Sequence, residues 1–380
     1  MGLTGSHDID AVDTPAERLI AGARRAAWGA PERLANIVTD LFLPESPRLS
    51  DRQRATMTQL LAKLIAAIED DLRQRLLVTL SPDTPAELSA SLAAGRLAIA
   101  APILDRAGLL RDPELVRVLL RRAEEHRLVT ALHLTAIAEQ EAEQATEPGL
   151  VDELLQTPDA ELAAAVMALL IAESRRFDRF QDPLLARTDL AAELQHALVW
   201  RVAAALRAYI VEEQRADPAL ADRAIAAATS GVLAGYDEGA TLEARAMVLA
   251  RHLHLLGTLT DKLVLRAAKE GRVTLLAAAL AVRAGIDFDA AWDMLSDGEG
   301  HRLTVLLRAI DMDRSNAAEL LFRLASVAAR PDAGDEVVAQ LEAFEALSPD
   351  HAREEVLPWR MAEGYRRAIA ELDAGRAVRR

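Results

Sequence analysis

GRVTLLAAALAVRAGIDFDAAWDML at residues 271–295, followed by GHRLTVLLRAIDMDRSNAAELLFRL at 300–324, decides the fold. Each half opens on Gly with Arg next or next but one. It runs through an apolar segment to Arg-Ala and turns on an acidic pair, Asp287/Asp289 or Asp311/Asp313. Gly ends the preceding helix because it enters the left-handed region at little cost. The apolar segment reads as an inward-packed helix. An Asp after the turn accepts from the free amides that start the next helix. One such pair cannot bury its apolar face alone, so pairs must stack into a continuous, solenoid-like core.

An earlier copy begins Gly95-Arg96-Leu97, reaches Arg106-Ala107-Gly108 and restarts at Asp112-Pro113. The copies differ in length, so the unit is the helix pair and not a fixed period. Pro102 falls inside the first helix of this copy, which predicts a kink or a delayed start.

The rest of the chain carries the same punctuation. Thr14-Pro15-Ala16-Glu17, Ser50-Asp51-Arg52-Gln53 and Thr84-Pro85-Ala86-Glu87 are capping boxes. Prolines after Asp112, Thr157, Asp182, Asp217 and Ser348 each precede a helical pattern. Met57, Leu60, Leu61, Leu64, Ile68, Leu72 and Leu76 step by three or four. So do Leu190, Leu194, Leu198, Val202, Leu206 and Tyr209, and Leu242, Ala246, Leu249, Leu253 and Leu256. No run of strict two-residue alternation is long enough for a strand. The expected fold is all-α, a superhelix of stacked helix pairs with no sheet.

Composition agrees. Apolar residues make up 51% and aromatics only 3% of the 380 residues, so the β-branched and aromatic enrichment of strands is missing. The organisation read from linkers is a polar tail over residues 1–13, a helical segment over 14–80, and repeat units over 81–229 and 240–375. Residues 43–49 read as a turn, and the Gly-containing stretch 230–239 as a divider.

The net charge of −15 works against general nucleic-acid binding, which draws its affinity from Lys and Arg on phosphates. There is no cysteine, so disulfides and thiolate chemistry are excluded. The N-terminal residues 1–13 carry Asp8, Asp10 and Asp13 but neither the basic region nor the apolar core of a signal peptide. The longest uncharged apolar run, Leu162 to Ala172, falls short of the roughly 20 residues a membrane span needs. A cytoplasmic protein is the expectation. Residues 139–161 hold eight acidic residues and no basic one, the pattern of a solvated face.

Candidate chemistry reduces to simpler causes. The Asp287/Asp289 and Asp311/Asp313 turns lack the loop of a calcium site and read as helix caps. His252 and His254 diverge on a helix, where successive residues turn by about 100°. His126 and His133 share a face without a carboxylate at matching spacing. Gly298-Glu299-Gly300 is not a phosphate loop, and no nucleophile elbow occurs. Trp200 and Trp292 sit in amphipathic helices and read as core, while Trp359, which follows Pro358 and lies near several arginines, is a weaker core candidate. No catalytic, metal or cofactor residue is assigned. One surface candidate remains, the arginines Arg272, Arg283, Arg302, Arg308 and Arg314, a row suited to an acidic group on a partner.

Several stretches resemble the bacterial domain of unknown function 2336 family: Leu49 to Arg54 with the helix to Leu80, Ala192 to Arg207, Leu303 to Ala309, and Trp359-Arg360 with Tyr365 to Ile369. The resemblance runs over roughly residues 30–372. It implies a HEAT-like helical fold and carries no activity. The expectation is therefore a non-catalytic protein-interaction scaffold or regulatory adaptor whose partner is another protein. The alternatives are an enzyme with a pocket between helices and a HEAT-like protein that binds or repairs nucleic acid.

Overall fold

The structure is a computed structural model of the chain. It describes residues 14–28, 30–42, 49–80, 86–93, 98–143, 148–327, 333–362, 364–366, 368, 369 and 372. The 1–13 tail, the Thr84-Pro85 cap, the Gly95-Arg96-Leu97 start and most of the 43–49 turn lie outside them.

The fold is all-α. In chain order the helices are α1 (Pro15–Trp28), α2 (Ala30–Leu41), α3 (Asp51–Leu80), α4 (Ala86–Ala93), α5 (Ala100–Arg106), α6 (Pro113–Glu143), α7 (Leu150–Leu155), α8 (Ala160–Ser174) and α9 (Ala192–Ala208). They continue as α10 (Pro218–Leu233), α11 (Leu242–Leu255), α12 (Asp261–Lys269), α13 (Val273–Ala284), α14 (Phe288–Leu295), α15 (His301–Ala309), α16 (Arg314–Val327), α17 (Ala333–Ala346) and α18 (Pro349–Val356). Among the described residues no strand occurs, and Phe177 and Pro183 form an isolated bridge.

The helix ends follow the sequence signals. Thr14 and Glu17 exchange hydrogen bonds in both directions, as do Ser50 and Gln53. Asp287 accepts from the Ala290 amide at 2.6 Å, and Asp313 from the Ser315 amide at 2.9 Å. Gly108, Gly285 and Gly300 all sit near φ +70°, where a Cβ would crowd the backbone. In the third copy Asp311 occupies the matching left-handed turn at φ 52°, so it is a turn residue and not a cap. Pro102 lies in the first turn of α5, which begins at Ala100; the helix starts late, as its proline predicts.

Two expected starts move. Asp159, not Thr157, caps α8, accepting from the amides of Glu161 and Leu162. Asp182-Pro183 begins no helix. The Asp182 amide donates to Asp178 and Pro183 joins the isolated bridge, so this pair builds a loop ahead of α9.

The chain forms two compact units, each drawing on separated segments. One comprises residues 31–130 and 151–249. There α3 packs on α9 and α10, and α5 lies on α9. The stripe from Met57 to Leu76 is buried throughout, with Leu198, Val199, Val202 and Leu206 against it in one core. Residues 230–239 lie inside this unit, and α10 runs through Gly231 to Leu233. The other unit comprises residues 1–30, 131–150 and 250–380. Its centre is α15, which touches α1, α13, α14, α16, α17 and α18. Leu303, Val305, Leu306 and Leu307 are all buried there.

Candidate functional site

The arginines of residues 272–314 do not form one open row. Arg283 Nη1 lies 2.5 Å from Asp261 Oδ1, and its Nη2 donates to the Ile310 carbonyl at 3.2 Å. Arg308 Nε donates to the Leu347 carbonyl at 2.6 Å, and its guanidinium stacks 5.0 Å from the Phe344 ring centroid. Arg302 is buried, with its guanidinium 4.8 Å from the Trp359 ring. Arg366 stacks on the same ring at 4.8 Å. Arg272 sits half-buried at the start of α13. Arg314 alone of the five is exposed, and it pairs with Glu345 at 2.5 Å.

A common device emerges. The Arg of each Arg-Ala pair sits in the last turn of its helix, and in the second and third copies it reaches a carbonyl of a later turn. The last carbonyls before a new helix have no helical partner, and a guanidinium satisfies them with a charge-assisted bond. The first copy departs, since Arg106 bonds back to Pro102 of its own helix. Asp261, the first residue of α12, joins the device: besides Arg283 it accepts from the Asp313 amide at 2.9 Å and from Asn316 at 3.3 Å.

The tryptophans divide. Trp292 is buried as its helical stripe predicts. Trp200 is not core: it is 37% exposed, with Nε1 donating to His196 one turn back. Leu256, the last residue of its stripe, is likewise exposed because α11 ends at Leu255. His252 is half-buried and His254 exposed, on either side of the buried Leu253 in sequence.

Among the described residues a cluster of six ionisable groups lies in the unit of residues 31–130 and 151–249. Its centre is Arg176, just beyond the end of α8. Nη1 lies 2.9 Å from Glu125, Nη2 donates to Glu243 at 2.8 Å, and Nε lies 3.1 Å from Asp189. Arg121 and Arg122, neighbours on α6, add positive charge beside Glu243 and Glu125. Arg122 also donates to the carbonyls of Leu184, at 2.8 Å, and Arg176, at 2.6 Å. It stacks on Phe177, against which His126 also packs. These contacts clamp the segment 175–191 onto α6 and α11.

Charge state follows from this closure. Burial opposes the Arg176 charge, but Glu125, Glu243 and Asp189 outweigh it and hold the guanidinium ionised. Burial likewise opposes the Glu243 carboxylate; Arg176 and Arg121 prevail and bring its pKa down to about 2. Asp189 goes the other way. Burial raises its pKa, and the nearby Glu243 and Glu125 add to the rise despite Arg176. His126 is held below its ordinary value by burial, then by Arg122 and Arg52. Three guanidinium groups thus face three carboxylates, the arrangement of a structural clamp.

Sequence reasoning did not find this cluster. Its members come from α6, the 175–191 loop and α11, and only those of α6, with Glu125 three residues from Arg122 and four from Arg121, are close enough in sequence to share a helix face.

Fold and cluster together define the class: an all-α chain in which arginine–carboxylate and arginine–carbonyl contacts lock successive helices. The chain belongs to the family of uncharacterised proteins conserved in bacteria, domain of unknown function 2336, whose model matches residues 99–356. That match takes in the Arg176 cluster and the copies at 271–324; residues 49–80, part of the sequence resemblance, precede it. No curated protein and no solved structure matches.

Proposed function

We propose that this chain is a non-catalytic protein-interaction scaffold or regulatory adaptor, built as a HEAT-like array of stacked helix pairs. The observation that carries the reading is the use made of charged side chains. Arg283 and Arg308 bond to turn carbonyls, Arg302 stacks inside on Trp359, and Arg176 faces three carboxylates. Catalytic acids and bases work from an accessible cleft with pKa values tuned to the reaction. Here the strongest electrostatic coupling serves to hold loops and helices in register. Large apolar side chains stand instead on outer helix faces, Phe322 of α16 at 62% exposure and Val338 of α17 at 57%. Phe322 is of the aromatic class that protein interfaces enrich.

The test is affinity capture with the tagged full-length chain from a bacterial lysate at low, physiological and high salt. A protein retained in near-stoichiometric amount is the expected result. Capture of nothing above background at any salt concentration sinks the reading.

A further inference from the structure

The helix α8 is apolar on the side that faces solvent. Leu162, Val166, Leu169 and Ala172 are buried on one face. The opposite face presents Ala160, Ala164, Met167, Ile171 and Ser174, all exposed or nearly so at the helix ends, with Ala163, Ala168 and Leu170 beside them. Met167 is 47% and Ile171 53% exposed. A helix on a protein surface ordinarily turns charged residues outward, and one that is apolar all round is normally covered on every side. The exposed positions step by four, three, four and three, the spacing of a coiled-coil seam and not of a broad core face.

We propose that α8 is a dimerisation helix, and that its outer face is covered by α8 of a second copy of this chain, running antiparallel about a two-fold axis. Two features of the helix point to that occupant. The first is shape. The N-terminal half of the seam is small (Ala160, Ala164) and the C-terminal half large (Met167, Ile171). An antiparallel pair sets Ala160 against Ile171 and Ala164 against Met167, twice over, so that large meets small along the whole seam. A parallel pair sets small against small and leaves a gap. Alanines on the seam let the axes approach to the short end of the 8–10 Å range usual for packed helices, about 8 Å.

The second feature is charge. Glu161 lies in the first turn of α8, and Asp152 and Glu153, on α7, precede it closely in sequence; all three are exposed. At the C-terminal end stand Arg175 and Arg179, the latter stacked on the exposed Phe180; the half-buried Glu173 lies in the last turn of α8, and Asp178 beside them is paired with Lys63, so the exposed charge beyond the helix is basic. Antiparallel pairing brings the acidic end of each copy to the basic end of the other, and it also opposes the two helix dipoles favourably. The surface is therefore self-complementary, as a two-fold interface must be. At 15 residues α8 is about 22 Å long. A helix pair of that length lies near the lower edge of stable interfaces, about 1,000 Å² in total. The dimer is accordingly a dissociable one that forms with rising concentration.

The experiment is sedimentation equilibrium of the full chain across a wide concentration range, comparing wild type with M167E/I171E. Wild type rises from 41.1 kDa toward twice that mass. The variant, whose substituted side chains are exposed in the single chain, keeps its circular dichroism spectrum and dimerises at least about tenfold more weakly. Orientation is read from charge: Arg179→Glu weakens the dimer, and adding Asp152→Arg restores it. Because the chain has no cysteine, Met167→Cys supplies a second readout if M167E/I171E fails to fold. A short bifunctional maleimide links Met167→Cys copies but not Val78→Cys copies, whose site lies exposed on α3. A monomer at every concentration overturns the proposal, as does a dimer that M167E/I171E leaves intact, a charge exchange without rescue, or a monomer whose α8 is covered by a different protein.

Discussion

Arg176 and Glu243 lie 67 residues apart in sequence and 2.8 Å apart in the fold, Nη2 of the one donating to Oε1 of the other. The same guanidinium reaches Glu125 and Asp189, so one side chain neutralises carboxylates from three parts of the chain. Removing one partner of a buried ionic cluster leaves the others charged and desolvated. Arg176→Met is therefore expected to cost about 3–5 kcal/mol, the range for breaking a buried pair. Urea unfolding at neutral pH checks this; a loss below about 1 kcal/mol, the scale of an exposed pair, marks the cluster as unimportant to stability.

Acid sensitivity follows from Glu243. Its carboxyl has an ordinary pKa of 4.5, lowered to about 2 in the fold by Arg176 and Arg121 against the burial that opposes them. A lowered carboxylate pKa contributes stability that is complete above the unfolded value and disappears as pH falls through the folded one. The contribution is thus present above about pH 4.5 and lost between there and about pH 2. Glu243→Gln lowers stability at pH 7 but flattens its decline across that window. Urea midpoints for both proteins at half-unit pH steps make the comparison; parallel curves from pH 4.5 to 2 contradict it.

Arginines of the 272–314 row divide by what they touch. Arg308→Ala removes a charge-assisted bond to the Leu347 carbonyl and a stack on Phe344, a loss of about 2 kcal/mol. Arg314→Ala removes only an exposed pair with Glu345, a change of less than about 1 kcal/mol. Thermal melting of the two variants side by side tests the distinction, and equal melting temperatures refute it.

These arginines also show where sequence reading succeeds and where it stops. Local signals fixed the helix ends: Thr14, Ser50 and Asp287 cap as their spacing predicts, because a cap involves only the next three residues. The Arg-Ala motif was legible as a repeat, but its role was not. Arg283 and Arg308 find their carbonyls 27 and 39 residues onward, and nothing in the intervening residues encodes that distance. The apolar run of residues 162–172 was visible as too short for a membrane; which side of it faces solvent depends on packing that periodicity cannot report, since every side is apolar. Trp200 shows the converse, a large apolar residue at helical spacing that lies outside the core.

Two glycines give opposite expectations for the same substitution. Gly22 of α1 lies where α1 crosses α15, and a Cβ there would stand 2.7 Å from Nδ1 and 3.0 Å from Cγ of His301. Alanine improves intrinsic helix stability by about 1 kcal/mol. The contact includes the ring atom nearest the backbone, however, so the imidazole must move bodily, away from Glu299 at 3.2 Å. Overpacking of this kind costs about 1–3 kcal/mol, enough to cancel the helix gain or exceed it. Gly298, in the turn before α15, has no left-handed backbone, and a Cβ added there would meet nothing within 4 Å. Gly298→Ala restricts only the unfolded chain and stabilises by about 0.4–1 kcal/mol. Gly22→Ala should therefore unfold at lower denaturant than Gly298→Ala. The reverse order means that α1 does not rest on α15 through this glycine.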